Sequence, residues 1–94
     1  MNMKEQLRVE IRKELHILEM KCLDMASLLR GLGIQVGGCP YPLPHEVHAA
    51  YKRALLKFHP DRASKTDIRQ QVEAEEKFKL ISRMKEKFLA NSYY

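Results

Sequence analysis

His59, Pro60 and Asp61 stand in a row, preceded by Lys52, Arg53 and Lys57 and followed by Arg62. A proline fixes its own φ and pushes the residue before it out of the α region, so this tripeptide predicts a stiff turn that loses little entropy on binding. Asp61 offers an acceptor for a charge-assisted hydrogen bond from a partner's arginine. Cations around it steer an acidic partner and speed encounter more than they add affinity. The chemistry of this set is recognition. Nothing in it sets a nucleophile or a general base against a substrate, so no catalytic residue is expected. A second set, Cys22, Cys39, His45 and His48, has metal-ligating types. His45 and His48 have a usable i, i+3 spacing, but no tight cysteine pair of the kind structural zinc sites use accompanies them. Neither a metal nor a cofactor is expected, and Cys22 reads as a core residue of a helix.

The charge is concentrated where that first set lies. The chain has 94 residues, with 17 Lys and Arg against 12 Asp and Glu, for a net charge of +5. Residues 1–33 hold six cations and five anions, residues 66–94 again six and five, and residues 34–43 none. Residues 44–65 carry Lys52, Arg53, Lys57, Arg62 and Lys65 against Glu46 and Asp61, a local balance of +3. A chain this short is one domain that buries roughly 60–65% of its unfolded surface, which favours a binding module over an enzyme with a deep pocket. Two cysteines are too few for a disulfide scaffold and suit a reducing compartment. No secretory signal is expected, because the N-terminus is charged from Lys4 and has no apolar core. The expected location is inside the cell, the cytoplasm first, with an organelle or the nucleus left open.

The elements that must position these residues follow from periodicity. Leu7, Ile11, Leu15, Leu18, Cys22, Met25, Leu29 and Leu32 form one stripe of an amphipathic helix, with Gly31 and Gly33 as stop signals. Asp24 can break that stripe, so one long helix and two collinear helices both fit. The stripe must pack on the domain or on another chain, as in a dimerising coiled coil. The uncharged run Gly31 to His45 holds all four glycines and three of the four prolines and reads as a linker. Pro44 suits a helix start. Val47, Ala50, Tyr51, Ala54, Leu55 and Phe58 share one arc of a helix that should end near His59. Thr66 or Asp67 can cap a last helix from about Ile68 to Leu89, with Val72, Phe78, Ile81, Met84 or Lys85, and Phe88 on its apolar side. No segment alternates as a strand would, so the chain reads as all-α.

Ala50-Tyr51-Lys52-Arg53-Ala54-Leu55-Leu56-Lys57-Phe58-His59-Pro60-Asp61-Arg62 resembles the second helix and tripeptide loop of the J-domain (DnaJ) co-chaperone family. Glu75-Glu76-Lys77-Phe78-Lys79-Leu80-Ile81 resembles the opening of its third helix, and Leu28-Leu29 with Leu32-Gly33-Ile34 the end of its first. The resemblance spans about Asp24 to Phe88. It implies a helical hairpin (the family's helices II and III) around the His-Pro-Asp loop, with residues 1–23 as an N-terminal helical extension and 24–94 as the J-domain. It also implies recruitment of a 70-kDa heat-shock chaperone of the DnaK type and stimulation of its ATP hydrolysis. Lys52, Arg53 and Lys57 would then contact acidic surface on the chaperone's ATPase domain. His59, Pro60 and Asp61 would form the signalling loop with Arg62 beside it, and Tyr51 would hold the geometry or touch the partner. Several positions depart from the pattern. His48 stands where many members carry a cation, Met84 and Lys85 replace a common small–aromatic pair, and the segments flanking the second helix are longer than usual. An extended first helix with no fourth helix is closest to the auxilin-like branch, whose members uncoat clathrin vesicles.

Blander readings sit beside these. Proline and aspartate commonly end helices in ordinary turns, and a run of cations is commonly a solvated face. A basic helix can also be a recognition helix for nucleic acid. Against that, no Asn, Gln or Arg cluster faces outward for base reading, and residues 66–94 are nearly neutral, so neither nucleic acid nor a membrane is the expected partner. A purely structural interaction module built on the first helix is the remaining alternative.

Overall fold

The computed structural model describes residues 2–38, 41–63 and 65–89, with side chains described through Lys87. These residues are all-helical, with no strand among them. Helix α1 spans Met3–Lys21, α2 Met25–Gly31, α3 Pro44–Lys57 and α4 Ile68–Leu89, and a single 3-10 turn, Pro60–Arg62, follows α3. Cys39 and Phe88, both singled out above, lie outside the described side chains.

Local chemistry sets the helix ends. The Asn2 side chain caps α1 by accepting from the Glu5 N–H at 2.8 Å. The apolar stripe through Cys22 and Met25 is cut in two, because Cys22 and Asp24 are extended. Asp24 wins there as an N-cap, its carboxylate accepting from both the backbone N–H and the hydroxyl of Ser27 at 2.8 Å. These bonds hold the Asp24 carboxyl below its ordinary pKa. Helix α2 closes in a Schellman motif. Gly33, at φ +87°, donates to the Arg30 carbonyl at 3.0 Å and Ile34 to that of Leu29 at 2.9 Å. Helix α3 opens with Pro44 in its first turn, and Glu46 reaches back to accept the Leu43 N–H at 2.8 Å. It ends at Lys57, and His59 is extended before Pro60. Asp67 caps α4, accepting from the Gln70 N–H at 3.2 Å.

Helices α3 and α4 form an antiparallel hairpin. Lys77 lies over the Phe58 ring and Lys85 over the Tyr51 ring, so advancing along α4 retreats along α3. Met25, Leu28 and Leu29 of α2 fill the core with Ala50, Tyr51, Ala54 and Phe58 of α3 and Leu80, Ile81 and Met84 of α4. Of the two candidates at the end of α4, Met84 is buried and Lys85 exposed. Ile34 and Val36 of the linker are buried too, so its first half belongs to the core.

The α1 stripe lies mainly on α4 of the same chain and runs parallel to it. Arg8 pairs with Glu75 and Glu76, Arg12 with Glu76, and Glu19 with Arg83, in rising order along both helices. Ile11 is fully buried, and Leu15, Leu18 and Cys22 pack partly against the core. A Cβ on Gly31 would lie 2.5 Å from the Leu18 side chain, so α1 and α2 approach where glycine leaves room.

Candidate functional site

The sequence pattern of α3 buries one arc and leaves the other for Lys52, Arg53, Leu56 and Lys57, all exposed. Lys52 and Lys57, like Arg62 after the turn, make no ion pair among the described residues. Arg53 is different. Its guanidinium donates to the backbone carbonyl of Gln35 and ties the linker to α3. Arg53 therefore has an internal structural role, although its side chain stays exposed.

The His59-Pro60-Asp61 loop is built on two contacts. The edge of the His59 ring meets the Phe78 ring of α4, with centroids 5.5 Å apart at 81°. The Asp61 N–H donates to His59 Nδ1 at 3.2 Å, which leaves the proton of a neutral ring on Nε2. Pro60 opens the 3-10 turn, where its fixed φ is already correct. The result holds the backbone and leaves the acid free. The Asp61 side chain is 91% exposed, with one carboxylate oxygen 3.8 Å from His59 Nδ1. Beside it, Lys57 and Lys77 both lie over the Phe58 ring, at 5.9 and 5.2 Å from its centroid. A shallow depression of about 260 Å³ there is lined by Lys57, Arg62 and Lys77, with Glu73 as its anion. An acidic side chain entering it would meet three cations.

The structure thus brings His59, Pro60, Asp61, Lys57 and Arg62 together at one end of the hairpin. Lys52 lies farther back along α3. Tyr51 sits elsewhere, in the core at 5% exposure, so it holds α3 against α4. Burial pushes its phenol pKa up. His48 is half-buried and stacks on Tyr51, with centroids 6.3 Å apart. Among the described residues no group of His, Cys, Asp or Glu is arranged to hold a metal. Burial, and less so the charge of Asp24, raises the Cys22 thiol.

Two features escaped the sequence reading. Leu56 is 57% exposed between Lys52 and Lys57, an apolar spot in a basic face. Its i+4 spacing from Lys52 was the available signal. Glu76 is the other. It is 5% exposed and accepts from Arg12 Nε at 2.6 Å, with Lys79 at 3.4 Å and Arg8 at 3.6 Å. Burial pushes its carboxyl up, but the Arg12 hydrogen bond and the charges of Lys79 and Arg12 outweigh burial and hold it below its ordinary value. In sequence it stands in a charged stretch that looks like a solvated face.

Models of known protein families give no match to this chain, and neither the curated proteins nor the solved structures give one.

Proposed function

We propose that this chain is a J-domain-type co-chaperone module that docks on a DnaK-type heat-shock chaperone and stimulates its ATP hydrolysis. One observation supports the reading most. An exposed Asp61 projects from a turn held by His59, with Lys57, Lys77 and Arg62 around a depression beside it. A preorganised acceptor reaches a partner's arginine with little loss of entropy. Lys52, Lys57 and Arg62, which make no ion pair among the described residues, steer an acidic surface toward the loop at a rate that falls with salt. Arg53 adds charge to the same face while fixing the linker, and Tyr51 acts from the core by setting the rotation of α3.

The module is not an enzyme in this reading. Its side chains recognise, and the ATP hydrolysed belongs to the partner. The task that this recruitment serves, clathrin uncoating or another protein-remodelling step, follows from where the rest of the assembly places it. No helix of the described residues is long and apolar enough to cross a membrane.

Single-turnover ATP hydrolysis by a DnaK-type chaperone tests the proposal directly. The wild-type chain should accelerate hydrolysis and His59→Gln should not, because the amide removes the ring that meets Phe78 and accepts the Asp61 N–H. No acceleration by the wild type defeats the proposal. Acceleration that survives in His59→Gln defeats the role given to the loop.

A further inference from the structure

Helices α1 and α4 leave a groove between them on the side away from α3. On α1, Val9, Arg12, Lys13, His16 and Glu19 recur at helical spacing and share one side of the helix. On α4, Glu76, Lys79, Leu80 and Arg83 do the same. At about 3.6 residues per turn, that α4 stripe lies roughly opposite Lys77 and Lys85, which cover the rings of α3. The space between the two stripes is about 630 Å³. It follows α1 from Val9 to Glu19, a length of about 15 Å.

Its floor is apolar and its rim is cationic. Leu80 is buried, Leu15 half-buried, and Val9 is an exposed apolar wall. Arg12, Lys13, Lys79 and Arg83 are exposed along the rim, whereas Glu76 is buried and Glu19 half-buried. Both carboxylates are already engaged with rim cations. Glu76 accepts from Arg12 Nε at 2.6 Å and from Lys79 at 3.4 Å, and Glu19 accepts from Arg83 at 2.8 Å. These bonds occupy one nitrogen of each guanidinium and leave the other two for a partner. The carboxylates thus aim the arginines without competing at the rim. Lys13 and His16 make no ion pair among the described residues.

Charge complementarity selects the occupant. Four cations flanking an apolar floor match a helix that carries an apolar stripe with Asp and Glu on its shoulders. A groove of this length holds about ten residues of helix, enough for apolar anchors at i, i+3 or i+4, and i+7. Such a helix would lie beside α1 and α4 with ordinary ridge-and-groove packing. Other polyanions use the site poorly. Nucleic acid gains nothing from the apolar floor, and no Phe, Tyr or Trp lines the groove among the described residues for a base to stack on. A bilayer surface cannot follow a concave groove down to Leu15 and Leu80.

We propose that the α1–α4 groove docks an acidic amphipathic helix of about three turns, supplied by a partner protein. The inference does not rest on the co-chaperone reading. The groove and α3 lie on different sides of α4, so a partner helix here leaves the basic face of α3 free.

The test is selection of a displayed random peptide library, about 14 residues long, on the full chain. Synthetic copies of the enriched peptides are then measured by fluorescence anisotropy and by amide shifts of the isotope-labelled protein. Enriched sequences should place Leu, Ile or Phe at helical spacing between Asp and Glu, and shifts should centre on residues 9–19 and 76–83. Val9 and Lys13 lie outside the buried core, so Val9→Asp and Lys13→Glu should keep the wild-type Tm. Each should weaken binding at least about fivefold. Lys52→Glu with Lys57→Glu should leave the affinity unchanged. Selection that yields no acidic helical pattern overturns the proposal, even where phosphatidylserine vesicles or duplex DNA bind through the same rim. So does peptide binding that Val9→Asp and Lys13→Glu leave intact, or that the α3 double variant abolishes.

Discussion

Replacing Glu76 by Gln should detach α1 from α4 more than any other single polar change. The carboxylate is 5% exposed and accepts from Arg12 at 2.6 Å, with Arg8 and Lys79 within 3.6 Å. The amide keeps the shape and removes the charge. It loses a charge-assisted hydrogen bond, and it leaves Arg8, only 17% exposed, without its nearest buried anion. Arg12 is 58% exposed and rehydrates readily, and Glu75 still faces Arg8 at 3.8 Å, so the full penalty of an unpaired buried charge does not apply. The expected loss is about 2 kcal/mol. In a domain of this size that lowers Tm by roughly 8–15 °C. Arg12→Ala should cost about 1 kcal/mol, because Arg8 and Lys79 remain beside the carboxylate. The double-mutant cycle should then show a coupling of about 1 kcal/mol. The pH dependence has a fixed sign. The folded carboxyl lies below its ordinary value of 4.5, so its contribution is complete above that value and disappears as pH falls through the lower folded one. Urea denaturation across the acid range should therefore show the wild type converging on Glu76→Gln as pH drops. A loss under about 0.5 kcal/mol at neutral pH, or a gap that persists below the folded pKa, would refute the reasoning.

Three further outcomes follow from the same contacts. Asp24→Ala should cost about 1 kcal/mol, read by thermal melts; because the Ser27 bonds lower the Asp24 pKa, the wild-type advantage should fade as acid protonates the carboxylate. Arg53→Ala should lose about 1 kcal/mol and reduce hydrogen-exchange protection of residues 34–36, since the guanidinium holds the Gln35 carbonyl; unchanged protection would show that the linker is held by Ile34 and Val36 alone. Lys52→Glu with Lys57→Glu should leave thermal stability within about 0.5 kcal/mol while slowing association with an acidic chaperone surface, because neither lysine has an ion-pair partner among the described residues; stopped-flow rates at two salt concentrations check it.

Most helix boundaries were legible in the sequence because the signals are local. Pro44 opens α3, Pro60 forces His59 out of the helix, and Asp67, one of the two caps the pattern offers, caps α4. The apolar arc of α3 packs as the periodicity requires. Asp24 was harder, since the stripe continues through it in register and both a continuous and a broken helix satisfy the pattern. What separates them is a side-chain cap with two hydrogen bonds, whose strength periodicity does not measure. The internal roles of Arg53 and Glu76 were not legible for another reason. Each acquires its role from a residue far along the chain, Gln35 in one case and Arg12 in the other.

The sequence by itself determined the helix stops and starts outside the Asp24 break, the stiffness of the His59-Pro60-Asp61 turn and the concentration of cations beside it. Each rests on fixed proline dihedrals, caps and side-chain period, which act within a few residues. Only the tertiary structure decided that α1 lies on α4 of its own chain, that Tyr51 is a core residue, and that Arg53 secures the linker while Lys52 and Lys57 do not. An amphipathic stripe specifies that something must cover it and a charge that something must solvate it. Neither specifies the partner, because that choice is made by shape and distance between residues that only folding brings together.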